Sequence, residues 1–379
     1  MNNRGGMAAE KTYTLVHTES SLGWGGQERR IFAEAEVMRQ RGHDIILAVD
    51  PRGELYNRSR QAGFEVVPFL FGGRHSVSTW TGLRRLLRRR AVDILNTHSS
   101  LDSWVGLLAL LGQRSRTRLV RTRHLSTPIK SSWPTRWLYR SPDAIITTGQ
   151  AIKGLIVART GRRDETIFSI PTGVPLERFY PRPVPQDNLL PSQFRHGCII
   201  GCVAVLRSWK GHLYLVEALE KLVRAGEKAY LVLVGDGPYG AVIREKVSRL
   251  NLAEHIYFAG YQDEVPDWLA RMDIVVLASY ANEGVPQSLL QAMALAKPVI
   301  GTICGGIPEI VEIGRNGWLV PPRDSEALAE ALMRLLRNPE ERAAFGARGL
   351  ALVQEKYSLE GMAAATEEVY ESIVTPQRS

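Results

Sequence analysis

Short apolar segments alternate with longer amphipathic ones along the chain. In the first half, apolar runs predict strands at residues 12–17, 44–49, 65–69, 92–96, 118–121, 144–147 and 167–170. Between the first two strands, Ile31, Ala35 and Met38 recur at helical spacing, and Gly42 ends the predicted helix. Strands that are apolar throughout and alternate with helices are typical of a parallel sheet with helices on both faces.

The pattern is interrupted at residues 181–196, where four prolines and little periodicity predict a linker. It then restarts, with strands predicted at 198–205, 230–234, 256–258, 274–277 and 299–302, and helices at 213–225, 239–250, 286–296 and 325–336. The expected fold class is therefore α/β. Two doubly wound, Rossmann-like parallel-sheet domains, residues 1–180 and 197–357, would face each other across a cleft.

Composition narrows the class of protein. The chain has 379 residues, more than one typical domain, and 44% hydrophobic with 23% charged residues excludes wholesale disorder. Cys198, Cys202 and Cys304 lack the spacing of a zinc site or a disulfide framework. The longest apolar stretch is too short to span a bilayer, and residues 1–9 lack the apolar core of a signal peptide. We expect a cytoplasmic protein.

Charge is distributed unevenly between the two halves. Residues 1–180 contain 28 Lys and Arg against 15 Asp and Glu, which gives +13, and residues 181–379 contain 20 against 24, which gives −4. Fourteen basic residues lie between Arg74 and Arg140, with Asp93 and Asp102 as the acidic residues there. This asymmetry favours contact between the first half and a polyanion or an anionic membrane.

The most informative motif begins after the strand predicted at 274–277. Glu283 and Gly284 lie in the turn that follows, a helix is expected to begin near Pro286, and Gln291 lies further along that helix. Free amides at a helix N-terminus favour a phosphate, and the residues at this turn are Val285, Pro286, Gln287 and Ser288, of which Pro286 has no amide N–H. An ordinary strand-turn-helix with a solvated glutamate is the alternative.

Two further motifs follow neighbouring strands. Gly305 and Gly306 would let a ligand approach the backbone closely, although an ordinary loop has the same composition. Arg207 and Lys210, three residues apart after the strand at 198–205, could clamp two negative oxygens, but exposed pairs of this kind are usually solvated.

The first half offers a glycine loop and two histidines at strand ends. Gly25 and Gly26, followed by Glu28, come after the first strand, without the GxGxxG pattern of a nicotinamide site. His98 and His124 each follow a strand, where a histidine is as often structural as functional. No metal-ligand motif and no GxSxG nucleophile motif is present in the sequence, so we expect no metal.

In this order and spacing, these motifs resemble the retaining glycosyltransferases of the GT-B fold, specifically glycosyltransferase family 4. The resemblance covers nearly the whole chain and also includes segments 170–179 and Val234-Gly235-Asp236-Gly237-Pro238. Within the family, the chain is most similar to bacterial enzymes of lipopolysaccharide and cell-surface polysaccharide synthesis.

The resemblance implies transfer of a sugar from a nucleotide sugar, with a UDP-sugar expected, to a lipid-linked or lipopolysaccharide-type acceptor. Configuration would be retained, without a metal or other cofactor. Arg207 and Lys210 would neutralise the departing diphosphate, Glu283 would contact sugar hydroxyls, and His98 would lie by the 6-position of the donor sugar. Donor-side glycines would be Gly25, Gly26, Gly235, Gly237, Gly284, Gly305 and Gly306. Glu28 and His124 would lie on the acceptor side, and residues 358–379 would return to the first domain.

Three positions depart from the family pattern. Gln291 replaces the second glutamate and loses its charge, while Pro286 removes one backbone amide from the phosphate cradle. Arg207 follows the position where the family places its arginine, which is Val205 here, and we expect Arg207 to substitute for it.

Two other functions remain open from the sequence. A nucleotide-sugar 2-epimerase shares the two-domain architecture. The basic segments 84–90 and 114–123 would suit a nucleic-acid-binding protein, but no RNP, KH, helix-turn-helix or zinc motif accompanies them. We therefore expect no nucleic-acid partner.

Residues 79–90 predict an interfacial helix. Trp80, Leu83, Leu86 and Leu87 share one face and arginines flank it, which is typical of a helix lying on an anionic membrane. We therefore expect peripheral contact between residues 74–140 and the inner face of the cytoplasmic membrane. In the alternative, the apolar face packs in the core and the arginines are solvated.

Overall fold

A computed structural model describes residues 11–112, 116–185 and 189–374. Arg114, the middle of the predicted linker and residues 375–379 of the predicted final segment lie outside the described residues. Within the described parts, no helix has the length and apolar character needed to cross a membrane.

The first half forms a parallel sheet with strand order β3-β2-β1-β4-β5-β6-β7. Its strands are β1 (Thr14–Glu19), β2 (Asp44–Val49), β3 (Glu65–Pro68), β4 (Ile94–Thr97), β5 (Arg118–Arg123), β6 (Ala144–Thr147) and β7 (Ile167–Ser169). Its helices are α1 (Gly26–Gln40), α2 (Glu54–Gln61), α3 (Ser76–Arg89), α4 (Ser100–Leu110), α5 (Trp133–Arg140) and α6 (Gln150–Thr160).

The second half forms another parallel sheet, in the order β10-β9-β8-β11-β12-β13. Its strands are β8 (Cys198–Val203), β9 (Ala229–Val234), β10 (Ile256–Gly260), β11 (Ile274–Leu277), β12 (Val299–Thr302) and β13 (Gly317–Val320). The helices are α7 (His212–Arg224), α8 (Gly240–Arg249), α9 (Val265–Ala270), α10 (Gln287–Ala294), α11 (Ser325–Arg337), α12 (Pro339–Lys356) and α13 (Leu359–Val374). The predicted α/β fold class, with two doubly wound parallel sheets, is confirmed.

The sequence pattern did not predict several elements, among them β13 and α12, and the bounds of some predicted elements differ from those of the structure. β13 has partly exposed central residues, so it lacks the continuous apolar run that marks a buried strand. α12 contains two glycines and polar residues on most of its surface. The helix expected to begin at Pro286 starts at Gln287, and Pro286 is its N-cap residue.

Both faces of the first sheet are covered by helices. On one face, α1 packs together with the C-terminal helix α13, whose Met362 and Tyr370 are buried beside Ile31. The other face carries α3, α4 and α5. The chain thus returns from the second sheet to close the core of the first.

The prediction that α3 is an interfacial helix is wrong. Leu83 and Leu87 are almost completely buried, and Trp80 and Leu86 pack against the same core cluster. The sheet therefore occupies the apolar face that a membrane would otherwise cover. The outward face of α3 carries Arg85, Arg88 and Arg89, which are exposed.

Candidate active site

The loops that carry the predicted site residues follow strands at the switch point of each sheet. In the first sheet β1 lies beside β4, and in the second β8 lies beside β11. At such points the chain crosses in opposite directions from two neighbouring strands, which opens a crevice at their carboxyl ends. The first sheet contributes one edge of the cleft between the domains, and the second contributes the other.

A charged pair occupies the edge formed by the second domain. Lys210 Nζ lies 2.6 Å from Glu283 Oε1, and the Ser279 hydroxyl donates to the same oxygen over 2.6 Å. The Lys210 side chain is 21% exposed and the Glu283 side chain 6%. The sequence places these residues in separate motifs, and the structure joins them because β8 and β11 are neighbours.

Arg207 is placed differently from Lys210. It is exposed, and its guanidinium lies 5.0 Å from the centre of the Trp209 ring. The backbone turns at this loop, and Gly211, the N-cap residue of α7, has a φ of +72°. Lys210 therefore points to Glu283, whereas Arg207 stays available to an incoming anion.

The predicted donor-side glycines allow close approach of protein backbone. Gly305 has a φ of +54°, and a Cβ there would lie 2.2 Å from Glu283 O. A Cβ on Gly306 would lie 2.6 Å from Val285 N. Gly235 and Gly237 pack in the same way against the loop after β8. These glycines hold the Glu283 loop and its neighbours together instead of facing open space.

The N-terminus of α10 is partly occupied by the first domain. Val285 N donates to Thr148 O over 3.0 Å, so its amide is not free for a phosphate as the sequence suggested. Gln287 Nε2 donates to Gly26 O over 3.3 Å. The amides of Gln287 and Ser288 remain as candidates for a phosphate cradle, with Gln291 half-buried further along the helix.

A second contact between the domains involves Glu309. Its carboxylate accepts hydrogen bonds from Gln150 N at 2.8 Å and Ala151 N at 2.9 Å, which caps α6 from the other domain. Beside it, a Cβ on Gly284 would lie 2.4 Å from Thr148 Oγ1. The loops after β11 and β12 therefore fit closely against the start of α6.

The edge formed by the first domain contains three buried histidines. His17 Nδ1 lies 3.0 Å from His98 Nε2, and His98 Nδ1 lies 3.0 Å from His124 Nε2. Burial lowers the pKa of all three, and that of His98 and His124 falls well below the ordinary value. Both ring nitrogens of His98 are thus engaged within the protein.

Asp102 fixes the loop that carries His98. Its carboxylate accepts from His98 N and Ser99 N, each at 2.8 Å, and from Thr18 Oγ1 at 2.9 Å. Ser99 and Asp102 form a capping box at the start of α4. This arrangement ties the ends of β1 and β4 together at the switch point.

Two glutamates lie by the glycine loop. The Glu28 carboxylate accepts from Gly25 N at 2.7 Å and so caps its own helix, while a Cβ on Gly26 would meet nothing within 4 Å. Glu19, at the end of β1, is fully buried and accepts from Ser20 N and Ser21 N. Burial, together with the charges of the nearby Asp102 and Glu28, raises the pKa of Glu19 to about 8.

Sequence reasoning did not assign a site role to His17, Glu19, Asp102 or Glu309. His17 and Glu19 end an apolar strand, and the spacing of Ser99 and Asp102 is that of a capping box, so weak signals were present. Among residues 11–112, 116–185 and 189–374, no cluster of three or more His, Cys, Asp and Glu could hold a metal ion.

Comparison with known families gives two matches. The family described as Glycosyltransferase Family 4 matches residues 24–178, and the family described as Glycosyl transferases group 1 matches residues 197–338. The two matches together include every strand from β2 to β13.

Several characterised proteins are similar in sequence. The chain is 32% identical to a GDP-mannose-dependent α-(1-6)-phosphatidylinositol monomannoside mannosyltransferase of Mycolicibacterium smegmatis, over 69% of this chain and 73% of that protein. It is 28% identical to a lipopolysaccharide core biosynthesis mannosyltransferase of Rhizobium leguminosarum, over 79% and 83%. The match to N-acetyl-α-D-glucosaminyl L-malate synthase of Bacillus anthracis, 33% identical, covers 44% of this chain and less than half of that protein, 43%.

Solved structures share the fold. A glycosyltransferase from Rickettsia africae superposes with a TM-score of 0.83 at 22% identity, over 97% of this chain and 100% of that one. Anabaena HepE in complex with UDP-glucose gives 0.81 at 20% identity, over 95% and 100%. The family matches, the mannosyltransferase relative and the two parallel-sheet domains show that this chain belongs to glycosyltransferase family 4 and has the GT-B fold.

Proposed function

We propose that this glycosyltransferase transfers a sugar from a nucleotide sugar, with retention of configuration, to a lipid-linked or lipopolysaccharide-type glycan of the bacterial envelope. The observation that carries the proposal is the Lys210–Glu283 pair at the switch point of the second sheet, 2.6 Å apart and beside the start of α10. A cation, a carboxylate and a helix N-terminus at one crevice suit a diphosphate joined to a sugar.

Each group has a chemical task in this proposal. Lys210 and Arg207 stabilise the negative charge that develops on the diphosphate as the bond to the sugar breaks. Preorganised cations of this kind contribute several kcal/mol to a transition state. Glu283 accepts hydrogen bonds from sugar hydroxyls, and the amides of Gln287 and Ser288 bind a phosphate oxygen. The cations then supply what a divalent metal supplies elsewhere, so we propose that none is required.

A UDP-sugar is the donor we propose. HepE, which has the same fold, binds UDP-glucose, whereas the mycobacterial relative is GDP-mannose-dependent. Gln291 can still donate to and accept from ribose hydroxyls, but it lacks the charge of a glutamate. Thermal stabilisation by a panel of UDP- and GDP-sugars ranks the donors directly.

Nucleotide-sugar hydrolysis without acceptor tests the proposal. We expect slow release of free nucleotide from one sugar nucleotide, and loss of that release in the Arg207→Ala/Lys210→Ala double variant. The matched control, Arg224→Ala/Lys356→Ala, removes two exposed cations that are not part of the proposed clamp and keeps full activity. Activity that survives the Arg207/Lys210 change overturns the proposed clamp, and an epimerised donor in place of free nucleotide indicates the 2-epimerase.

For the acceptor side, we propose contact with the anionic inner leaflet through the surface of α3, α4 and α5, the α3–α5 surface. A groove of about 470 Å³ there is lined by Thr81, Arg84, Arg85, Arg88 and Arg89. Exposed apolar side chains lie nearby, with Leu108 and Leu111 40% and 46% exposed and Trp133 76% exposed. A surface that carries both arginines and an exposed tryptophan suits a layer of anionic headgroups.

Liposome sedimentation distinguishes this surface from a generic basic one. We expect binding to vesicles with anionic lipid and little binding to neutral vesicles. Arg85→Glu/Arg88→Glu/Arg89→Glu should abolish binding, whereas the same reversal at Arg224, Arg348 and Lys356 should leave it. Equal weak binding to both vesicle types contradicts the proposal, and salt-sensitive binding to nucleic acid instead would favour the polyanion alternative.

A further inference from the structure

Charged and aromatic side chains join the two domains at the β10 edge of the second sheet. Tyr261 follows β10, and its hydroxyl lies 3.2 Å from Arg29 Nη2 and 3.3 Å from Arg58 Nη2 of the first domain. The same hydroxyl donates to Asp263 Oδ1 over 2.5 Å, and this oxygen lies 3.2 Å from Arg58 Nη1. Residues 261–264, the β10–α9 loop, therefore contact both α1 and α2.

Trp24 supports the two arginines on the first domain. The centre of its ring lies 4.7 Å from the Arg58 guanidinium and 5.6 Å from that of Arg29, and the Tyr261 ring lies 5.9 Å from Arg29. Phe32 packs edge-on against Trp24, with ring centroids 5.9 Å apart. The face of an aromatic ring attracts a cation and limits the positions that a guanidinium can take. The two arginines are therefore held side by side.

Negative charge from the second domain stabilises this pair of cations. Two guanidiniums that converge on one hydroxyl repel each other, so a nearby anion is needed. Glu54 supplies one to Arg58, at 3.0 Å on the same helix. Asp263 supplies another from the second domain, and the hydrogen bond from Tyr261, together with Arg58 and Arg29, lowers the pKa of this carboxyl. Separation of the domains removes Asp263 from both arginines, so the contact favours a closed cleft.

The β10–α9 loop is also fixed at its base. Arg178 Nη2 donates to Asp263 O over 2.7 Å and lies 3.2 Å from Glu264 Oε1. Arg182 Nη1 lies 3.1 Å from Asp267 Oδ1 on α9, a helix whose residues are mostly buried in the second domain. Because its base is anchored in this way, the loop moves with the second domain. Loss of the contacts at its tip therefore frees one domain from the other.

Ionic strength acts on this contact in a way that it does not act on a backbone contact. Val285 N donates to Thr148 O between the same two domains, and neither group carries a net charge. In the β10–α9 loop contact, the side chains of Arg58 and Asp263 are 29% and 55% exposed. Ion pairs at this exposure are individually weak, and salt screens them, since the Debye length falls from about 8 Å at 0.15 M to about 3 Å at 1 M. Salt can therefore release this contact.

We propose that Tyr261 and Asp263 form a salt-sensitive latch with Arg29 and Arg58, which holds the cleft closed and whose release lets a bound nucleotide exchange. The latch gives part of the uneven charge a role, because arginines of the basic half meet a carboxylate of the acidic half. Closure of the free chain does not depend on the substrate. The effect on nucleotide exchange rests on the proposed function, so the two are tested separately.

Small-angle scattering of the full-length chain tests the latch without a ligand. Arg58→Gln/Asp263→Asn removes the ion pair and leaves the net charge unchanged. The matched control, Lys221→Gln/Glu326→Gln, removes an exposed pair within the second domain. We expect the wild type and the control to have a larger radius of gyration at about 1 M than at about 0.05 M NaCl, and the latch variant to have the larger value at both. A latch variant with the radius and the salt response of the wild type overturns the proposal.

Amide hydrogen exchange separates opening of the cleft from a local change in the loop. If the domains part, exchange should become faster on both sides of the contact, in residues 23–29 of the first domain as well as in the β10–α9 loop. We expect this in Arg58→Gln/Asp263→Asn and not in Lys221→Gln/Glu326→Gln. Faster exchange confined to the β10–α9 loop contradicts a role in closing the cleft.

Dissociation of UDP tests the role in nucleotide exchange. Tyr261→Phe removes the hydroxyl that both arginines share and keeps the ring, and Tyr180→Phe changes another exposed tyrosine as the control. In stopped-flow displacement, we expect UDP to dissociate about five- to tenfold faster from Tyr261→Phe, as loss of one hydrogen bond predicts, and at the wild-type rate from the control. An unchanged rate in Tyr261→Phe overturns the role in exchange. If the wild-type chain binds no nucleotide, the proposed function fails while scattering still decides the latch.

Discussion

The two edges of the cleft have the same topological origin but opposite chemistry. At the first domain, groups at the strand ends are buried and held neutral, as in the three buried histidines and in Glu19. At the second domain, Lys210 and Glu283 form an ion pair whose lysine is 21% exposed, and Arg207 is exposed. The same carboxyl-end crevice is therefore lined by buried, uncharged groups on one side and by charged groups on the other.

This difference in charge indicates which chemical groups each domain can bind at the cleft. Under the proposed function, a diphosphate that gains charge as it leaves needs cations in place, and Lys210 and Arg207 of the second domain are the cations at this crevice. The first domain places buried, uncharged side chains on the opposite side. Part of the net charge of the first half, +13, lies on the outward face of α3, where Arg85, Arg88 and Arg89 are exposed.

The largest effect is expected on the free energy of unfolding, at the buried Arg30–Glu34 pair of the first domain. Arg30 and Glu34 have side chains 0% exposed and lie 3.4 Å apart, and Tyr370 OH donates to Glu34 over 3.1 Å. Arg30→Leu leaves a buried, uncompensated carboxylate, so the free energy of unfolding should fall by about 3–5 kcal/mol. Denaturant unfolding measures this, with Arg224→Ala, which breaks an exposed pair, as the control. A decrease in the free energy of unfolding below about 1 kcal/mol would show that the first domain tolerates an unpaired Glu34 carboxylate.

The next effect concerns the charged edge. Lys210→Met should lower the rate of nucleotide-sugar hydrolysis by about 10²–10³-fold, because a preorganised cation is lost from the leaving group. Lys246→Met removes a lysine that pairs with Glu217 at 2.5 Å on α7 and α8, away from the cleft, and should keep the wild-type rate. Single-turnover kinetics compares the two variants. Equal rates would mean that Lys210 serves only as a partner for Glu283.

The third prediction concerns pH. Because burial raises the pKa of Glu19 from 4.5 to about 8, the folded chain binds a proton that the unfolded chain releases. The stability due to this group is complete below pH 4.5 and is lost as pH rises towards 8, at up to about 1.4 kcal/mol per pH unit. Glu19→Gln should remove this slope. Unfolding measured at pH 5, 6.5 and 8 tests it, and parallel profiles for variant and wild type would place an ionised Glu19 in the native state.

The smallest effect on stability is expected at the contact between the two domains, where Glu309 caps α6. Glu309→Ala removes the cap that the second domain gives to α6, so stability should fall by about 1 kcal/mol. Glu312→Ala, which breaks an exposed pair with Arg315 in the same loop, is the control. Small-angle scattering should show a larger radius of gyration for Glu309→Ala alone. No change would indicate that other contacts, such as Val285 to Thr148, suffice to hold the domains together.

Much of the fold was readable from the sequence because parallel strands buried on both faces are continuous apolar runs. β2, β6, β11 and β12 were predicted with the bounds that the structure shows. β13 was missed because its partly exposed residues break that pattern. The apolar face of α3 was predicted correctly, but the surface that covers it was not. A sheet and a membrane both require the same pattern of apolar residues on a helix, so the sequence does not distinguish them.

For the site, the sequence by itself determined which residue types follow the strands: Lys210, Glu283, the paired glycines and two of the three histidines. Tertiary structure decided which of them meet. Lys210 and Glu283 are 73 positions apart and His17 and His98 are 81 apart, and each pair is joined because its strands are neighbours at a switch point. Protonation was also decided there, because burial sets whether a carboxylate or an imidazole can carry charge, and burial depends on the packing of the whole domain.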